Sequence, residues 1–205
     1  PLLKKKAVPL SVEIGRDFSV LVITGPNTGG KTVALKTIGL LSLMAQAGLP
    51  IPAQAESRIP VYDGVYADIG DEQSIEQMLS TFGWHMSNIV RIIRNSTGNS
   101  LVLLDEVGRG TATFDGLSIA WAVVEYLQSH TRARTLFATH YHELTELAQR
   151  LPRLRNYNVA VLEQAGRVVF LHKIVRGSAD KSYGIHVAQL AGIPKAVVHR
   201  AEEVL

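Results

Sequence analysis

FSVLVITGPNTGGKTVALKT, residues 18–37, joins an apolar run to a glycine-rich turn and then to a helical pattern. Phe18, Val20, Leu21, Val22 and Ile23 read as a strand buried on both faces. The run ends in GPNTGGKT, where Gly25, Gly30, Lys31 and Thr32 fit the phosphate-loop spacing G-x-x-x-x-G-K-[ST]. The chemistry needs this layout. Glycines let backbone N–H groups approach a polyphosphate without Cβ clashes. The following helix N-terminus adds unpaired donors and a partial positive charge. Lys31 can reach the β- and γ-phosphates of a nucleotide, and Thr32 can offer its hydroxyl to Mg²⁺.

The composition narrows the class. A chain of 205 residues, 46% hydrophobic, suits one globular domain, or one with a small appendage, and can bury a sizeable core. No apolar run approaches the roughly 18 residues of a membrane span, so neither membrane insertion nor a signal peptide is expected. Cysteine is absent, which excludes disulfides and thiolate metal sites and is compatible with the cytoplasm, the expected location. A net charge of +3 permits nucleic-acid contact without demanding it. Val204 and Leu205 end the sequence inside a helical pattern, which points to an excised fragment.

Residues 1–17 read as extended, with Pro1 and Pro9 opposing helix. Lys4, Lys5 and Lys6 are either a solvated face or a contact to DNA or a partner, and Val8 is a candidate for contacting adenine. The helix that opens near Thr32 runs to about Ala47, with Leu35, Ile38, Leu41, Leu43 and Met44 inward and Gly48 as its stop. Residues 61–69 alternate loosely, which predicts a short strand or two. Ser80 and Thr81 precede a helical pattern of Phe82, His85, Met86, Ile89, Ile92 and Ile93. A hydroxyl residue there is either a helix cap or the face that a second subunit's phosphate meets.

LVLLDE, residues 101–106, is a second buried strand, ending in two carboxylates at the edge where open α/β sheets bind ligands. Asp105 can hold Mg²⁺ through water, and Glu106 can orient and polarise an attacking water. In VGRGTATFDG, Gly108, Gly110 and Gly116 make a flexible turn, and Asp115 is the expected cap of a helix over about residues 117–128. Trp121 on that helix is assigned to the core or an interface. TLFAT, residues 135–139, is a further strand that ends at His140. Beside a phosphate loop and a carboxylate pair, that histidine becomes a candidate γ-phosphate contact. Alternation over residues 156–175 predicts an antiparallel hairpin turning at 164–166. Helices around 185–190 and from Pro194, as first helical residue, to Leu205 close the chain.

The loop, the hydroxyl-capped helix, LVLLDE, GRGTATFDG and ATH arrive in the order of an ATP-binding-cassette ATPase. More narrowly, GPNTGGKT, STF, LLDEVGRGTATFDG, FATHYHEL and KSYGIHVAQLAGIP together resemble the MutS family of DNA-repair ATPases over nearly the whole chain. IPAQAESRIPVYDGVYADIGDEQSIEQMLSTF, with Thr28, is more similar to the second bacterial MutS paralogue, the recombination-suppressor branch, from which Gly83-Trp84 departs. The resemblance implies one α/β P-loop domain of cassette type over residues 1–205. Its mostly parallel sheet would be flanked by helices, with an antiparallel hairpin and C-terminal helices over about 184–205.

The same resemblance implies that the domain binds ATP and Mg²⁺. Nucleotide contacts would come from Gly25, Pro26, Asn27, Thr28, Gly29, Gly30, Lys31, Thr32 and Val33, with His172 stacked on adenine. Lys31, Glu106 and the switch histidine His140 would be catalytic, and Thr32 and Asp105 would hold Mg²⁺. Gln73 falls where the cassette's mobile glutamine lies, and residues 108–116 match the loop that crosses the dimer seam. Ser80 would complete the partner's ATP site in trans. Implied, too, is a head-to-tail homodimer with ATP that works as a clamp on branched or mismatched DNA through the full-length protein. The same ATPase acting on stalled ribosomes is another reading. A non-hydrolysing nucleotide-dependent dimerisation module is a third, which intact Lys31, Asp105 and Glu106 disfavour.

Overall fold

A computed structural model describes residues 7–70, 81–164, 167–178 and 183–205. The strand read at residues 18–23 is β1 (Val20–Thr24), and all of its residues are buried. A strand with no wet face needs cover on both sides, and alternate side chains find it. Val20 and Val22 enter one apolar cluster, and Leu21 and Ile23 enter another. The strand β3 (Leu101–Asp105) divides the same way, Val102 and Leu104 against Leu101 and Leu103. Helix α1 (Lys31–Gln46) covers the second cluster with Leu35. Helices α2 (Thr81–Asn95) and α3 (Thr113–Tyr126) cover the first, through Ile89 and Ile92 and through Ala120, Val123 and Val124.

The remaining strands are β2 (Val65–Asp68), β4 (Arg134–Ala138), β5 (Leu154–Gln164) and β6 (Arg167–Arg176), and the sheet order is β2-β3-β4-β1-β5-β6. Every pairing is parallel except β5 with β6, the expected hairpin. Residues 165–166 of its turn lie outside the described residues. Parallel strands end on a common edge. The ends of β1, β3 and β4 are stitched together there, Thr139 N–H donating to Ile23 carbonyl at 3.0 Å and Glu106 N–H to Ala138 carbonyl at 2.9 Å. Helices α4 (Leu147–Arg150), α5 (Gly184–Leu190) and α6 (Lys195–Val204) complete the chain. Among the described residues no helix is long and apolar enough to cross a membrane.

Three local expectations are corrected. Leu43 is 51% exposed, because the buried side of α1 runs through Leu35, Gly39 and Ser42, leaving Leu40 and Leu43 outward. Helix α3 begins at Thr113 with Ala112 as its cap, so Asp115 lies inside the first turn instead of preceding the helix. An acidic residue is still favoured there by the helix dipole. Pro194 is the extended cap residue before α6, at φ −54° and ψ 139°, and not its first helical residue.

At the opposite, amino edge, Asp63 accepts hydrogen bonds from Thr97 Oγ1 at 2.5 Å and Ser100 Oγ at 2.7 Å, tying the approach to β2 to the turn before β3. Those bonds, Thr97 first, hold its carboxyl below the ordinary value of 3.8. A depressed folded pKa stabilises above the unfolded value, and that stabilisation is lost as pH falls through the folded one. Asp63→Asn should therefore be less stable than the parent in urea at about pH 6, with the gap closing below about pH 4. An equal gap at both pH values would refute the assignment.

Candidate active site

The loop between β1 and α1 closes at Gly30, whose φ of 94° and ψ of 18° are left-handed. A side chain is strained in that region, so glycine lets the chain leave the loop and enter the helix in one step. Lys31, the first residue of α1, is fully buried, and its Nζ donates to the Gly25 carbonyl at the far end of the loop. The ammonium therefore spans the loop from within. Burial lowers its pKa, against the pull of Glu106 and Asp105.

Thr32 Oγ1 donates to Asp105 Oδ2 at 2.6 Å and so joins the start of α1 to the end of β3. The second oxygen, Asp105 Oδ1, is buried without a hydrogen-bond partner. Burial raises the pKa of this carboxyl, the Thr32 hydroxyl opposes the rise, and the neighbouring Glu106 adds to it. A buried carboxylate oxygen lacking a donor is costly. A hard cation is the kind of group that completes it, and a hydroxyl beside a carboxylate suits Mg²⁺.

Glu106 follows in a left-handed conformation, φ 54°. A non-glycine residue there is strained, and such strain collects at functional sites. Its Oε1 is buried without a hydrogen-bond partner, 3.9 Å from His140 Nδ1. Its Oε2 is 3.4 Å from the Arg109 guanidinium. Burial lowers the His140 pKa, with Glu106 opposing, which favours a neutral imidazole. Behind Glu106 the chain turns back through a very close backbone approach. A Cβ on Gly108, φ 88°, would come 2.3 Å from the Gly116 carbonyl oxygen of α3. Tyr141 Oη also donates to the Gly108 carbonyl, at 3.4 Å.

Gly25, Lys31, Thr32, Asp105, Glu106 and His140 thus meet at one edge, as their places at strand ends require. Pro26, Asn27, Thr28 and Gly29 form the loop, and Val33 is exposed on the first turn of α1. His172 comes near them from β6. It has a positive φ of 52°, and a Cβ on Gly30 would lie 3.7 Å from its Nδ1. Ser80 and Gln73 lie outside the described residues. Sequence reasoning missed Arg109 and Tyr141. Arg109 sits in the glycine turn already singled out, whereas Tyr141 carries no signal that separates it from a core aromatic.

Residues 21–205 match the protein family described as MutS domain V. The chain belongs to the MutS family. The DNA mismatch repair proteins MutS of Caldicellulosiruptor bescii and Salinibacter ruber are each 53% identical to it, over 97% and 92% of this chain. That of Streptococcus gordonii is 46% identical over 97%. The chain spans 23%, 21% and 23% of the lengths of these relatives. MutS membership agrees with the P-loop fold read from residues 18–37. It does not separate the mismatch-repair branch from the recombination-suppressor branch.

The Gly108–Gly116 approach leaves no room for a methyl group on either backbone. Gly108→Ala should cost about 2–4 kcal/mol in urea unfolding, from overpacking added to left-handed strain. A loss below about 1 kcal/mol would mean that the turn relaxes freely.

Proposed function

We propose that this MutS domain is a Mg²⁺-dependent ATPase whose two-site homodimer drives a DNA-binding clamp. The observation that carries the reading is the Thr32–Asp105 hydrogen bond with the unpartnered Asp105 Oδ1 beside it, at the mouth of a lysine-filled phosphate loop. Lys31 Nζ, now on the Gly25 carbonyl, would turn to the β- and γ-phosphate oxygens, and the anion would restore the charge that burial opposes. Thr32 and Asp105 would hold Mg²⁺, which when bound neutralises phosphate charge. Glu106 Oε1, buried without a donor on this left-handed turn, would accept a hydrogen bond from the water that attacks the γ-phosphorus in line. His140 would contact the γ-phosphate, Val33 and the loop would line the nucleotide, and His172 would stack on adenine.

In the dimer, Ser80 of one chain would complete the site built on the other chain's loop. ATP state would then alter the grip on DNA through differential contacts. Both readings of the DNA target have support. The names of the relatives favour mismatched DNA, while residues 51–82 and Thr28 resemble the branch associated with branched DNA. Stimulation of turnover by each DNA, compared with ribosomes, sorts the targets, and DNA stimulation should fall steeply with salt. A cytoplasmic location fits all of them.

Lys31→Ala should weaken ATP binding by about a hundredfold or more in calorimetry, and near-normal affinity would remove the phosphate-loop role. Glu106→Gln should bind Mg·ATP yet turn over about a hundredfold more slowly. Light scattering on that variant should show monomer becoming dimer when Mg·ATP is added. A monomer that holds ATP in both states would overturn the composite site for this chain.

A further inference from the structure

The carboxyl edge holds another buried acid, and nothing in the mechanism above uses it. Asp68 ends β2, and its side chain is 0% exposed. It pairs in register with Leu104, the residue before Asp105 on the neighbouring strand. Both of its oxygens are taken by the same helix. His85 Nδ1 meets Oδ2 at 3.0 Å, and Asn88 Nδ2 donates to Oδ1 at 2.9 Å and to the Ala67 carbonyl at 3.0 Å. A carboxylate oxygen accepts, so Nδ1 of His85 carries the proton.

His85 and Asn88 stand one turn apart on α2, beside the buried Ile89 and Ile92. Apolar packing presses α2 onto the sheet, but it is non-directional and weakly resists sliding along the helix axis. A buried carboxylate does resist it. Displacement by a fraction of a turn would leave one oxygen without a donor in a low-dielectric setting, where an unmade bond is expensive. The pairing also joins the last residue of β2 to the first turns of α2, and so fixes where the helix N-terminus stands relative to Asp105 and Glu106.

We propose that Asp68, His85 and Asn88 set the axial register of α2 on the sheet, and that His85 is a positioning residue for ATP hydrolysis. The proposal rests on the reading above, in which Ser80, the residue before α2, completes the partner's site. His85 acts through the helix and not on the nucleotide, so its removal lowers kcat and spares ATP affinity.

The test compares His85→Ala, His85→Asn and His85→Gln for ATP Kd, kcat at saturating ATP, and Tm. Asparagine places an amide donor where Nδ1 stands, and glutamine places it nearer the Nε2 position. His85→Ala and His85→Gln should lose about tenfold in kcat with Kd unchanged, while His85→Asn stays within about threefold of the parent. Should the alanine chain fail to fold, the asparagine–glutamine comparison carries the same information. Parental kcat in His85→Gln, equal losses in Asn and Gln, or a loss of ATP affinity would each overturn the proposal. Mixing His85→Ala with Glu106→Gln chains adds a geometric check. One of the two sites then keeps an intact Glu106 and an intact partner α2, so turnover should exceed that of either chain alone. Failure of the nucleotide-site reading is seen separately, as ATP binding that Lys31→Ala does not weaken.

Discussion

Keeping a lysine and an aspartate out of water at one edge of the sheet is the constraint on which the local structure turns. Lys31 is fully buried and Asp105 nearly so, and burial disfavours the charged form of each. Partial compensation comes from within: the Gly25 carbonyl on Nζ, the Thr32 hydroxyl on Oδ2, and the mutual attraction of the opposite charges. It stops short of completion. Asp105 Oδ1 and Glu106 Oε1 remain buried without hydrogen-bond partners. Two acidic oxygens without donors on successive residues, at the edge where the phosphate loop opens, suit a polar, cationic or hydrated ligand.

The two ends of the sheet show the difference between an acid used for structure and acids held for chemistry. At the amino edge, each oxygen of Asp63 accepts from a hydroxyl, which fastens two loops together. At the carboxyl edge, Asp68 is likewise satisfied on both oxygens, by His85 and Asn88. Asp105 and Glu106, between these fastened elements, each keep one oxygen without a donor, while Thr32 and Arg109 take the other. The left-handed turn at Glu106 and the close approach of the Gly108 and Gly116 backbones hold the carboxylate in place while its Oε1 stays without a donor.

Much of this was legible in residue order. The apolar runs at 18–23 and 101–104 have no polar alternation, so they had to be central strands covered on both faces, and each ends where a chemical group begins. Helix faces were harder. Leu43 looks inward on spacing, but a leucine on a moderately covered helix can face out, and the buried side of α1 is built from Leu35, Gly39 and Ser42. Gly39 there lets Leu103 come close, a fit that requires knowing what lies opposite. The starts of α3 and α6 were misread because Ala112 and Pro194 cap by backbone geometry alone and not through a side chain.

By itself the sequence determined the phosphate loop, the order of the strands along the chain, the acidic pair and the MutS resemblance, because each is written in contiguous residues with fixed spacing. Only the tertiary structure decided which of those residues meet. The Thr32–Asp105 bond spans 73 positions. His172 reaches Gly30 from a strand on the sheet edge, and Asp68 finds His85 across a stretch whose length says nothing of its course. Sheet order sets these meetings. Parallel strands gather their ends irrespective of distance along the chain, and the twofold choice of face at each residue is resolved by what packs against it.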